Sequence, residues 1–258
     1  MFFQIKSYIQ FLLKSTNHHG VHSPFVYDLV TKCFYTNTNP NKRKRITQYR
    51  TDLLQNHSKI SVTDFGNGSK IFKSNEREIS KIAKIAGISK KRSELLIRIV
   101  EYFKPTTVLE IGTSLGIGTA SIKIGNSISK ITTLEGCINT SQIAKNQFTK
   151  FDLNNIDLHV GDFKETLPMT LKSTVFDMIY FDGNHQKKPT IDYFEQCLNS
   201  INNNSIFIFD DIYWSKEMSE AWEYIRNHKK VTVSIDTYFW GIVFFRKEQE
   251  KEHFNIRI

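Results

Sequence analysis

Downstream of Pro105 the sequence alternates short β-branched and aromatic runs with longer stretches of helical periodicity, and few architectures satisfy that alternation. The runs TVLEI, KITTLE, IDLHV, FDMIYFD, SIFIFDD, VTVSI and WGIVFF are seven candidate strands. The segments GTASIKIGNSI, NTSQIAKNQFTKF, FKETLPMTL, KPTIDYFEQCLNSI and KEMSEAWEYIRNHK stand between the first six as candidate helices. Strand and helix in turn mean parallel strands joined by crossovers, so the pattern predicts an α/β chain with a mostly parallel sheet and helices on both faces. VTVSI and WGIVFF are separated by only a few residues around Asp236 and Thr237, which is hairpin spacing, so the last strand should run antiparallel.

Residues 1 to 94 read differently, as a helical N-terminal extension, with residues 95–258 as the catalytic domain. A chain of 258 residues fits one such domain plus an extension better than two independent domains. Phe2, Ile5, Ile9, Leu12 and Leu13 recur at helical spacing and predict an amphipathic helix packed on the protein's own body, favoured over interfacial membrane contact. That segment is too short and too polar to span a bilayer, and Lys6 together with the lack of a small-residue cleavage site argues against a signal peptide. Ser23 and Pro24 mark the N-cap and first turn of a helix running FVYDLVTKCF. The Asn-, Thr- and Lys-rich stretch from Thr36 to Arg45 predicts a mobile loop, and EISKIAKIAGISKKRSELLIRIVEYF a second helical block ending before Pro105.

Basic residues outnumber acidic ones, 35 to 26, so nucleic acid, anionic lipid and acidic small molecules all have to be weighed as partners. Only Lys42, Arg43, Lys44 and Arg45 form a tight run, and in polar surroundings that reads as a solvated loop, which disfavours nucleic acid. Cys33, Cys137 and Cys197 lie far apart with no CxxC pair, which suits buried thiols in a reducing, cytoplasmic compartment. The oligomeric state is not set by the sequence.

The chemistry concentrates at strand ends. In VLEIGTSLGIGTASI, Gly112, Gly116 and Gly118 let the chain turn tightly after a strand and approach a ligand closely. Glu135 ends the next strand, where an acid can accept both hydroxyls of an adenosine ribose. Gly161 and Asp162 end the third, so that Asp162 can bond an adenine amino group with Phe163 beside the ring, or cap the following helix.

This succession resembles the class I S-adenosylmethionine-dependent methyltransferases over residues 95 to 246, with EIGTSLGIGT similar to their first motif. The resemblance implies a Rossmann-like sheet. It also implies S-adenosylmethionine held by Glu110, Gly112, Thr113, Ser114, Gly116, Gly118, Glu135, Gly136, Asp162, Phe163 and Asp182. Within the class, FDGNH and IFIFDDIYW are similar to the catechol-O-methyltransferase-like O-methyltransferases, which implies methylation of a small-molecule hydroxyl.

Asp182, Asp210 and Asp211 reach one sheet edge, and three carboxylates there would repel unless something positive intervened. In the family resembled, an Asp and an Asp-Asn pair at these positions hold magnesium; here the second member of the pair is Asp. Without a metal, Asp182 would face the cofactor's amino group, Asp210 the substrate, and Asp211 would cap the next helix. His185, three residues past Asp182, stands where the family carries a lysine that removes the substrate proton, and an imidazole can do that work. Tyr213 and Trp214 either wall an aromatic acceptor or simply pack.

The HHGVH cluster of His18, His19 and His22 reads as structural or as part of a lid. VTDFGNGS, with Asp64, Gly66 and Gly68, imitates a nucleotide-binding turn but leads into a charged helix, and reads as a turn that could close over the cofactor. Two rivals from other classes are a DNA-binding helix-turn-helix protein, through ISKIAKIAGISKKRSELL, and an NAD-dependent oxidoreductase, which the GxxxGxG spacing disfavours.

Overall fold

The computed structural model describes residues 2–63, 74–172 and 174–258. The turn around Asp64, Gly66 and Gly68 lies outside the described residues. In chain order the helices are α1 (Phe2–Lys14), α2 (Pro24–Leu29), α3 (Pro40–Leu54), α4 (Ile79–Ile85), α5 (Lys90–Phe103), α6 (Ile117–Gly125), α7 (Ile138–Lys150), α8 (Phe163–Leu171), α9 (Lys187–Cys197) and α10 (Lys216–Asn227). The strands are β1 (Lys59–Ser61), β2 (Glu76–Glu78), β3 (Thr107–Ile111), β4 (Lys130–Glu135), β5 (Ile156–Val160), β6 (Met178–Phe181), β7 (Ile206–Asp210), β8 (Val233–Asp236), β9 (Trp240–Phe244) and β10 (Glu252–Asn255). All seven predicted strands form. Together with β10 they make an eight-stranded, mostly parallel sheet.

By compactness the chain falls into two units, Met1–Tyr35 with Thr170–Ile258, and Thr36–Met169. In the unit Thr36–Met169, β3, β4 and β5 pair in parallel in that order. Helix α6 is buried on every side, as a helix inside a layered core must be. A β-carbon on Gly125 would come within 2.7 Å of Val100, so glycine is what lets α6 pack so closely on α5. Helix α5 in turn buries Leu95, Leu96, Ile97, Ile99 and Val100. A recognition helix has to present its face to DNA, and this one is spent on the core, which removes the helix-turn-helix reading.

Helix α3 corrects the loop expected from Thr36 to Arg45. Asn39 caps it by accepting from the Asn41 amide at 2.9 Å, Pro40 occupies its first turn, and Ile46, Tyr49 and Leu53 form its buried face. Part of the basic run is used internally: Lys42 pairs with Glu101 at 2.7 Å and Arg43 with Glu94 at 3.1 Å. Propensity alone missed the helix because its partners lie some fifty residues further on.

In the unit formed by Met1–Tyr35 and Thr170–Ile258 the strand order is β10-β8-β9-β7-β6. Strand β9 runs antiparallel to both β7 and β8, the reversal predicted from the hairpin spacing. Strands β6 and β7 are buried throughout, which is why they read as unbroken apolar runs. The short strand β10, parallel to β8, was not foreseen. The helix expected over FVYDLVTKCF forms as α2 and then widens to a π turn over Val30–Phe34; Ser23 sits at its N-cap without a side-chain cap bond. Helix α1 forms where predicted but turned over. Only Ser7 and Phe11 are buried, and the stripe Phe2, Ile5, Ile9, Leu12 and Leu13 is exposed instead of packed.

Candidate active site

The penultimate residue of β3 is Glu110, fully buried, whose Oε2 accepts from the hydroxyls of Thr119 and, at 2.6 Å, Thr133. Burial pushes its carboxyl up to about 7, against the pull of those two hydroxyls. The chain then turns through three left-handed residues, Gly112 (φ 105°), Ser114 (φ 48°) and Gly116 (φ 77°). The turn is stitched to the end of β4: the amides of Gly112 and Thr113 donate to the Leu134 carbonyl at 3.0 and 3.1 Å, and the Ser114 amide donates to Glu135 Oε2 at 2.7 Å.

Gly116 answers to the protein itself. A β-carbon there would lie 2.5 Å from the Phe148 ring and 2.7 Å from the Tyr49 hydroxyl, which donates to the Leu115 carbonyl at 2.9 Å. The sequence suggested room for a ligand at this glycine, whereas the structure fills that room with two aromatic side chains. Gly118 lies buried in the first turn of α6.

Glu135 Oε1 accepts from the Cys137 amide at 2.9 Å, so each oxygen holds a backbone N–H. Burial raises its pKa while those amides lower it, and the net direction is upward. Gly136 follows it, partly exposed. At the end of β5, Asp162 caps α8, with Oδ1 accepting from the Lys164 amide at 2.9 Å; Asp162 and Phe163 both keep partial exposure.

In the other unit, the Tyr180 hydroxyl stands between two of the predicted carboxylates, 3.2 Å from Asp182 Oδ2 and 3.3 Å from Asp210 Oδ2. Tyr180 lies on β6 two residues before Asp182, which directly follows the strand, so the extended period places the two on one side. That period was a signal that could have singled Tyr180 out. Asp210 is buried and its Oδ1 accepts from the Asp211 amide at 2.8 Å. His185 Nε2 lies 3.9 Å from Asp182 Oδ1, both partly exposed.

Asp211 (φ 52°) does not cap α10; Ser215 does, accepting from the Met218 amide at 3.1 Å. Tyr213 stacks on Tyr238 and donates to the buried Asp236 at 2.6 Å, and Trp214 gives its carbonyl to Gln4. Among the described residues no three His, Cys, Asp or Glu side chains gather as metal ligands. Magnesium at Asp182, Asp210 and Asp211 therefore finds no support, and neither does a metal at His18, His19 and His22, whose first two rings lie 3.9 Å apart, tilted by 39°.

Residues 109–212, from within β3 to just past β7, match the family model of a methyltransferase domain. Over those residues the chain is similar to methyltransferase domains. No curated protein matches it in sequence. The SAH-bound methyltransferase PaMTH1 of Podospora anserina superposes with a TM-score of 0.61 at 15% identity, over 88% of this chain and 97% of that one. The O-methyltransferase from Bacillus cereus in complex with SAH gives 0.55 at 18% identity, over 85% and 95%. TomG from Streptomyces achromogenes, an O-methyltransferase involved in tomaymycin synthesis, in complex with SAM, gives 0.57 at 14% identity, over 86% and 95%. At such identities the likeness is one of fold. The fold is the one shared by these methyltransferases, and the matched residues 109–212 include both the stitched glycine turn and the strand ends that carry Asp182 and Asp210.

Proposed function

We propose that this methyltransferase uses S-adenosylmethionine to methylate a hydroxyl of a small molecule. The observation that carries the reading is the stitched turn: a glycine-rich turn after β3 whose Ser114 amide orients Glu135 at the end of β4. The residues fit the donor. Glu135 is only partly enclosed and suits a ribose diol, Asp162 beside Phe163 suits an adenine, and Glu110 Oε1 is a buried acceptor with no partner among the described residues. Gly112, Thr113, Ser114 and Gly136 shape that cradle, Gly116 and Gly118 let the turn behind it pack closely on the protein's own core, and Asp182 suits the donor's amino group. When bound, the donor supplies an electrophilic methyl group on a sulfonium sulfur.

Oxygen as acceptor is supported by the O-methyltransferases among the similar folds. In this reading His185 takes the hydroxyl proton on its imidazole, and the Asp182 carboxylate, 3.9 Å from it, favours the charged ring that results. Positioning does the rest and can supply roughly 7–11 kcal/mol. With Tyr180 already set between Asp182 and Asp210, no step is assigned to a metal. Residues 1–94 act as an extension over the acceptor and residues 95–258 as the catalytic domain. The burial of Cys33, Cys137 and Cys197 suits a reducing, cytoplasmic setting.

Calorimetry tests the reading. Purified, ligand-free protein should bind S-adenosylmethionine and its demethylated product and ignore NAD; heat from NAD with none from the sulfonium donor would overturn it.

A further inference from the structure

Helix α1 is amphipathic in an unusual sense. Its polar and mixed face holds it to its own unit, and its apolar face looks outward. Tyr238 donates to the Gln4 carbonyl at 2.8 Å, the Gln4 amide donates to the Trp214 carbonyl at 3.2 Å, and Phe11 packs against the Tyr238 ring. On the far side, Phe2 is 84% exposed, Ile5 55%, Ile9 53% and Leu13 82%, with Leu12 beside them. These positions follow the helical period and form one continuous apolar strip along the helix. Scattered exposed apolar residues need no explanation, but a contiguous strip does.

The charges around the strip say what covers it. Lys6 and Lys14 are exposed on the same helix, and the first acidic side chain in the sequence is Asp28. The whole chain carries a formal charge of +9. Two copies meeting through α1 would bring like charges together with no carboxylate on the helix to pair with either lysine. An anionic surface meets both features at once, taking the apolar side chains below its headgroups and the lysines at their level. At 13 residues α1 is too short to cross a bilayer, and among the described residues no helix is long and apolar enough to do so. We propose that the outward face of α1 docks the protein, lying flat, on an anionic phospholipid surface. The proposal does not depend on the reaction the methyltransferase domain performs.

Flotation of the full chain with vesicles tests it. Vesicles of phosphatidylcholine mixed with phosphatidylglycerol should carry the protein and phosphatidylcholine alone should not. Raising the salt to about 1 M, where the screening length falls to roughly 3 Å, should weaken the association. Ile9→Ser together with Leu13→Ser removes two exposed apolar side chains, so the partition coefficient should drop roughly tenfold or more while thermal stability holds. Ile5→Gln alone gives a milder second variant that should lose affinity in the same direction. The proposal is overturned if the wild type stays with the unbound fraction, if the variants float as well as it does, or if sedimentation velocity shows a dimer that Ile9→Ser and Leu13→Ser dissolve.

Discussion

Ser114 and Glu135 stand 21 positions apart, yet the amide of the first donates to Oε2 of the second at 2.7 Å. The bond fixes two things together. It holds a non-glycine residue in the left-handed region, at a cost of about 1–2 kcal/mol, and it orients the one carboxylate at the end of β4. Replacing Glu135 with Gln removes a charged acceptor, worth roughly 1.5–3 kcal/mol. Affinity for S-adenosylmethionine measured by calorimetry should therefore fall roughly 10- to 100-fold. Unchanged affinity would detach Glu135 from the donor.

Glu110 predicts a pH dependence of stability. Its folded-state pKa, about 7, lies above the ordinary value of 4.5, so the folded protein holds this proton more tightly than the unfolded chain does. Its contribution is fully present below the ordinary carboxylate pKa and is lost as pH rises from there through about 7, by an amount on the order of 3 kcal/mol. Glu110→Gln should flatten this slope in urea unfolding of the ligand-free protein followed between pH 4.5 and 8. Parallel slopes for the two proteins would rule the assignment out.

His185→Ala should lower kcat by roughly 100-fold or more, the ordinary yield of general base catalysis, and leave donor affinity alone. If turnover is intact in the variant, the proton leaves by another route.

Tyr180→Phe removes the hydroxyl between Asp182 and Asp210 and should cost about 1–3 kcal/mol in denaturant unfolding, because two acceptors lose their shared donor. Turnover of the wild type is expected to survive a chelator. Loss of activity on chelation, restored by magnesium, would show that the acidic residues rearrange around a cation.

Much of this fold was legible downstream of Pro105 because burial leaves a direct mark on sequence. MIYF and IFIFD are covered on both faces, so nearly every residue in them had to be apolar. The hairpin of β8 and β9 announced the reversed strand through loop length alone. The strand EHFN carried no such mark, being four residues long and only partly buried. Helix α3 was misread as a loop because its stabilising partners, Glu94 and Glu101 for the basic run and Leu115 for Tyr49, are distant in sequence.

At the site, local pattern alone told which residue types stand at which strand ends: Glu110 within β3, the glycines and Ser114 after it, Glu135 closing β4, Asp162 after β5, Asp182 and Asp210 further on. Alternation and strand length are local properties, and they suffice for that. What those groups touch was set by packing across the chain. It gave Gly116 to Phe148 and Tyr49, put the Tyr180 hydroxyl where a metal was expected, and turned the apolar face of α1 outward. Periodicity records that a residue has a side to face, but the neighbour on that side comes from elsewhere in the chain and is chosen by packing and hydrogen bonding across it.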